Sequence, residues 1–261
     1  MIQEVRFARL NRDEGTLDME HLKGLVDEDT RVVAVAVASN VLGTKSPLKE
    51  IGKIPREVNA YFVVDSVHHI AHGPIDVQAV DFDFLAFSGY KIFSSHGSFL
   101  YGKGEHLKAL QPYKVAPEYP PCKWEWGTRD QSMFTAICGA VDHLNWLASQ
   151  VDDRYENQFV GYPARVRSLK VAMDAIEKYG RELSRAMLAG FDYVPGLLQM
   201  PHVNVYGLKD LSRLEERDPT FAFKVRGIPD EEVEHIWAKY GIALRSENYY
   251  SRVWRSIMSP A

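Results

Sequence analysis

Cysteine is scarce: the 261 residues hold two, Cys122 and Cys138. Two thiols cannot make a disulfide framework, and they fit a reducing, cytoplasmic compartment. Long hydrophobic runs are missing too. The longest, Val32 to Ala38, is far too short to span a bilayer, so no membrane partner is expected. The start, Met1-Ile-Gln-Glu-Val-Arg-Phe7, lacks the apolar stretch and cleavage site of a signal peptide. Charge of one sign is not in excess, with 31 Lys+Arg against 35 Asp+Glu and a formal net charge of -4. No basic stripe stands out, which argues against a nucleic-acid partner. What is present is ordinary globular composition, 46% hydrophobic and 25% charged, in a chain long enough to bury a core without staples.

Strand-length apolar runs recur early: Arg31 to Ala38, Tyr61 to Val64, Phe82 to Phe87 and Ser98 to Tyr101. They are rich in β-branched and aromatic residues and bounded by polar or Gly/Pro segments. Their near-continuous apolarity predicts strands buried on both faces, as in a mostly parallel sheet. Leu48 to Asn59 has helical character and supplies a crossover. Pro112, Pro117, Pro120 and Pro121 break the pattern from Gln111 to Gly127. Asp130 reads as the N-cap of a helix to about Ser149, with Cys138 in its apolar pattern as core. A second long helix is predicted over Pro163 to Leu188. Strands are predicted at His202 to Tyr206, Thr220 to Val225 and Ile242 to Arg245, with a helix from Asp230 to Tyr240 stopped by Gly241. The expected organisation is a large α/β domain over 1–155 and, over 156–261, a bridging helix with a small C-terminal α/β domain.

Three polar clusters follow directly on strands: Ser39-Asn40-Val41-Leu42-Gly43-Thr44, Asp65-Ser66-Val67-His68 and Ser88-Gly89-Tyr90-Lys91. Ligands of α/β sheets sit at the carboxyl ends of strands. That rule would bring Asn40, Asp65 and Lys91 to one cleft. Each alone has a plainer reading: Asp after a strand is a turn former, and Lys91 is a solvated lysine. His68, His69 and His72 imitate a metal cluster, but no standard zinc spacing completes them, and no metal is expected. Gly97 to Lys103 nearly fits the phosphate-loop pattern but lacks the final hydroxyl.

Val63 through Lys103, with the upstream Ser39-Asn40-Val41-Leu42-Gly43-Thr44 and the downstream Trp124-Glu125-Trp126-Gly127-Thr128, resembles the class V aminotransferase family, cysteine desulfurase-like branch. The resemblance runs from about Val5 to Val253. It implies the type I fold of pyridoxal 5'-phosphate enzymes, here a partial large domain plus a partial small one. It implies an enzyme acting on a small amino-acid substrate through a Schiff base on Lys91, a homodimer with shared sites, and transferase or lyase chemistry. By position, Asp65 matches the acid that pairs with the pyridine nitrogen, and His68 a hydrogen-bonding position at the phenolate, usually Gln. Ser88 and Tyr90 match phosphate positions, and Asn40 an amide lining the cofactor. Thr128 matches a phosphate contact from a second subunit, and Arg245 an arginine near the substrate carboxylate. The desulfurases carry a mobile cysteine after this arginine; Arg245 to Ser251 has none. Relative to the family the chain looks truncated at both ends. That leaves a non-catalytic dimerisation or binding protein as one alternative, and an amino-acid epimerase, suggested by Gly127-Thr128-Arg129-Asp130, as another.

Overall fold

A computed structural model describes residues 4–114, 119, 122–125 and 130–246. Chain contacts divide it into two compact units. One takes the described residues of Met1–Leu25, Ala38–Ser46 and Lys178–Ala261; the other takes Val26–Val37 and Pro47–Glu177.

The first unit opens with helix α1 (Met19–Leu25). The second is built on a sheet. Strand β1 (Val32–Ala36) is followed by short helices α2 (Leu48–Ile51) and α3 (Lys53–Glu57), then by β2 (Tyr61–Asp65). Helix α4 (Val77–Val80) leads to β3 (Phe84–Ser88), and β4 (Ser98–Gly102) completes the order β1-β2-β3-β4. The first three strands are parallel and β4 is antiparallel to β3. The apolar runs, the crossover and the mixed, mostly parallel sheet are as the sequence predicts.

Burial differs from expectation. Val33, Phe62, Val64 and Leu85 point to a buried face, with Ile51 and Ile54 of the crossover also buried. The alternate residues Val32, Ala34, Ala36, Asp65, Ala86 and Leu100 are exposed. Handedness explains this. Right-handed crossovers between strands that step in one direction all fall on one side of the sheet. The apolar runs therefore reflect β-propensity as much as burial.

Helix α5 (Gly104–Ala109) follows β4, and α6 (Gln131–Val151) starts where expected, with the Asp130 carboxylate accepting from the Ser132 N–H at 2.9 Å. Helix α7 (Ala164–Ala189) gives its first part to this unit. Leu144 and Ala148 of α6 join Tyr155, Val171 and Ala172 in a core against which Ile92 packs. Asp76 caps α4 through the N–H groups of Gln78 and Ala79 and accepts from Lys170 at 2.6 Å. Cys138 is exposed, not core. The buried stripe of α6 is Ala140, Leu144 and Ala148, and at about 100° per residue position 138 falls on the far side.

In the first unit, a hairpin of β5 (Gly190–Phe191) and β6 (Val194–Pro195) precedes the antiparallel pair β7 (Val203–Tyr206) and β8 (Ala222–Val225). Helix α8 (Asp230–Ala238) follows. Leu188, Leu197, Val205 and Leu214 form the core. The loop at residues 39–44 is fastened by Arg217, which is 2% exposed. Its guanidinium donates to the carbonyls of Leu208 (2.5 Å), Thr220 (2.5 Å) and Leu42 (3.3 Å) and lies over the Phe221 ring. Burial pushes this guanidinium down to about 10. The strand expected at Ile242 to Arg245 is absent: residues 242–246 have no regular structure. They follow the left-handed Gly241 (φ 74°), and a β-prone segment becomes a strand only with a partner ladder. Among the described residues no helix is long and apolar enough to cross a membrane.

Candidate active site

Parallel pairing aligns Asp65, the last residue of β2, with Ala86 of β3, and Ser88 ends β3 two residues later. Side chains alternate across a strand, so Asp65 and Ser88 share the open face at the carboxyl edge of the sheet. A 3-10 turn, Gly89–Ile92, carries Lys91 directly from that edge. A second turn, His69–Ala71, starts four residues after Asp65 and touches the first. Asp65, His68, Ser88, Tyr90 and Lys91 are thus gathered by two adjacent strand ends. This is where an α/β sheet exposes polar groups that its own ladder does not consume.

One Asp65 oxygen accepts from the Val67 N–H at 2.8 Å, which fixes the carboxylate at the turn. Its other oxygen has no hydrogen bond among the described residues. Ser88 is the N-cap of the Lys91 turn, but its hydroxyl does not cap it. Lys91 is exposed and makes no ion pair among the described residues; its ammonium lies 5.5 Å from the centre of the Tyr90 ring. Tyr90 stacks on His96 at 5.0 Å with 29° between planes. The His68 and His72 rings lie 5.1 Å apart, and His69 is buried at 4%. Among the described residues no three His, Cys, Asp or Glu side chains are grouped to hold a metal.

The remaining expected site residues belong to the first unit or lie outside the described residues. Asn40 belongs to the first unit, exposed in a tight loop where the Ser39 hydroxyl accepts from the N–H groups of Val41 and Leu42. Arg245 is in the first unit as well, exposed after α8. Thr128 lies outside the described residues. His96 was not singled out by sequence reasoning, because its contact with Tyr90 depends on loop closure, which no local pattern encodes.

The family model described as Aminotransferase class-V matches residues 3–251. The chain belongs to the class-V aminotransferase family. Among curated relatives in the cysteine desulfurase-like branch, the cysteine desulfurase of Haloferax volcanii is 34% identical over 191 residues, covering 68% of this chain and 44% of its own. That of Pectobacterium atrosepticum is 32% identical over 252 residues, covering 94% and 55%. A solved cysteine desulfurase of Escherichia coli matches at TM-score 0.70 and 25% identity over 92% of this chain and 55% of that one. A NifS-like protein matches in fold at TM-score 0.66 and 17% identity, covering 97% and 58%. The fold is therefore the α/β type I fold of this family. The chain spans about half the length of the curated relatives it matches.

Proposed function

We propose that this chain binds pyridoxal 5'-phosphate and uses it on a small amino acid in cysteine desulfurase-like chemistry. The observation that carries the reading is the shared placement of Asp65, Ser88 and Lys91 at one carboxyl edge of β2 and β3. The donor set fits the cofactor. A pyridine nitrogen calls for a carboxylate oxygen with no other hydrogen bond, which Asp65 has among the described residues. An aldehyde calls for a primary amine without an ion pair, and a phosphate calls for hydroxyl donors. Lys91, Ser88 and Tyr90 meet these needs.

When bound, the cofactor supplies an electron-withdrawing ring that stabilises negative charge at a substrate Cα. The chain's residues do the rest. Asp65 holds a proton on the ring nitrogen, because an ion pair there favours the charged form. Lys91 would hold the cofactor through its amine, and the same amine would carry the proton of the substrate Cα. Ser88 and Tyr90 donate hydroxyl hydrogens toward the phosphate, and His68 hydrogen-bonds the phenolic oxygen. Asn40 and Arg245 are proposed as cofactor- and substrate-facing groups on the family resemblance. A cytoplasmic homodimer, with Thr128 reaching from a second copy, belongs to the same proposal. Exposed Phe134 and Trp146 on α6 support such a contact.

Incubation with pyridoxal phosphate, reduction with borohydride and peptide mapping test the reading. The label is expected on Lys91. Binding without a label there refutes it. Absence of any binding favours the non-catalytic alternative, and racemised amino acid as product favours the epimerase.

A further inference from the structure

Lysine is a poor choice for a precisely aimed group, because four rotatable bonds separate its amine from the backbone. The loop from Ser88 to Ser98 counters that freedom. Its ends pair as the last rung of the β3–β4 ladder. Inside it, the Gly89 N–H donates to the Gly97 carbonyl at 2.7 Å and the Ser94 N–H donates to the Gly89 carbonyl at 3.1 Å. A side chain at position 89 would meet the Ser95 carbonyl oxygen at 2.9 Å, so the loop closes this tightly only over glycine. That closure brings position 96 against position 90. On one side of Lys91, the half-buried Ile92 packs against the core formed by Leu144, Tyr155 and Val171. On the other side, Tyr90 is 46% exposed and stacks on His96. The lysine ammonium in turn lies over the Tyr90 ring, 5.5 Å from its centre.

We infer that His96 is a positioning residue: its imidazole fixes the Tyr90 ring, and that ring holds the Lys91 amine at the carboxyl edge of the sheet. The inference rests on the reading of Lys91 as the reacting amine and adds a residue to it. His96 need not touch the cofactor. A stacked pair restrains a ring through shape and quadrupole, so any flat aromatic side chain at 96 does the same work.

The test compares the wild type, His96→Ala and His96→Phe in two reactions, each read by peptide mapping of Lys91. One is capture by pyridoxal phosphate with borohydride trapping, which needs a correctly aimed amine. The other is acetylation by acetic anhydride, which needs only an accessible one. Losing the stack is expected to slow capture about three- to tenfold. It should speed acetylation about two- to fivefold as the ring leaves the ammonium. His96→Phe restores both. Capture at the wild-type rate in His96→Ala overturns the inference. So does a His96→Phe variant as impaired as His96→Ala, or acetylation that is unchanged or slowed. A wild type that binds pyridoxal phosphate without labelling Lys91 defeats the functional proposal instead. The acetylation arm then still decides the role of His96.

Discussion

Asp83 offers the sharpest test of what holds the sheet together. It is fully buried at the entry to β3. It accepts from both Arg56 nitrogens (2.9 and 3.1 Å) and from the Phe62 N–H (2.8 Å), and it lies 3.0 Å from the Lys103 ammonium and 2.9 Å from His106 Nε2. One carboxylate thus ties α3, β2, β3 and the end of β4. Burial by itself pushes this carboxyl up, but the hydrogen bonds from Arg56, Phe62, Lys103 and His106 outweigh it and hold it well below the usual range. Asp83→Asn keeps the shape and one acceptor but strips the charge from two cations. Charge-assisted bonds contribute about 1.5–3 kcal/mol each, and breaking a buried pair costs about 3–5 kcal/mol. Arg56 and Lys103 keep 35% and 21% of their side-chain surface and regain water. The expected loss is therefore about 3 kcal/mol, a fall in Tm of roughly 6–12 °C. The pH dependence has a definite sign. The folded value lies below the unfolded one, so the contribution is complete above the unfolded value near about 4. It is lost as pH falls through the folded value. Thermal melts of wild type and variant from neutral pH to about pH 3 read both. A gap under about 1 °C at neutral pH, or a gap that widens on acidification, refutes the reasoning.

Three further outcomes follow from the same geometry. Gly43→Ala destabilises by at least about 2 kcal/mol, because φ is +74° and a Cβ would stand 2.5 Å from the Asp218 carbonyl oxygen; urea unfolding measures it. Arg217→Met costs about 3 kcal/mol by stranding the carbonyls of Leu42, Leu208 and Thr220, with proteolysis of residues 38–46 accelerated in parallel. Asp76→Ala removes an N-cap and the Lys170 pair for about 1–2 kcal/mol, and a double-mutant cycle with Lys170→Met isolates the ion-pair share.

Much of the fold was legible in the residues. The four runs of β-branched and aromatic residues became β1 to β4, and Asp130 marked the start of α6, because these signals are local. The placement of Asp65, Ser88 and Lys91 was legible for the same reason: each lies at, or just past, the carboxyl end of its strand. What escaped the sequence depends on contacts through space. One-sided burial of the sheet follows from crossover geometry. The exposure of Cys138 follows from which stripe of an apolar-rich helix turns inward. Ile242 to Arg245 has strand composition but joins no ladder among the described residues. His96 becomes meaningful only once Gly89 lets the loop close.

The central claim is that Asp65 and Lys91 flank one cofactor ring. A crystal structure of the chain soaked with pyridoxal phosphate measures this directly. The account requires density continuous from the Lys91 amine to the cofactor, with an Asp65 oxygen about 2.7–2.9 Å from the ring nitrogen. Cofactor bonded to another lysine, or an Asp65 carboxylate turned away from the ring, would contradict it.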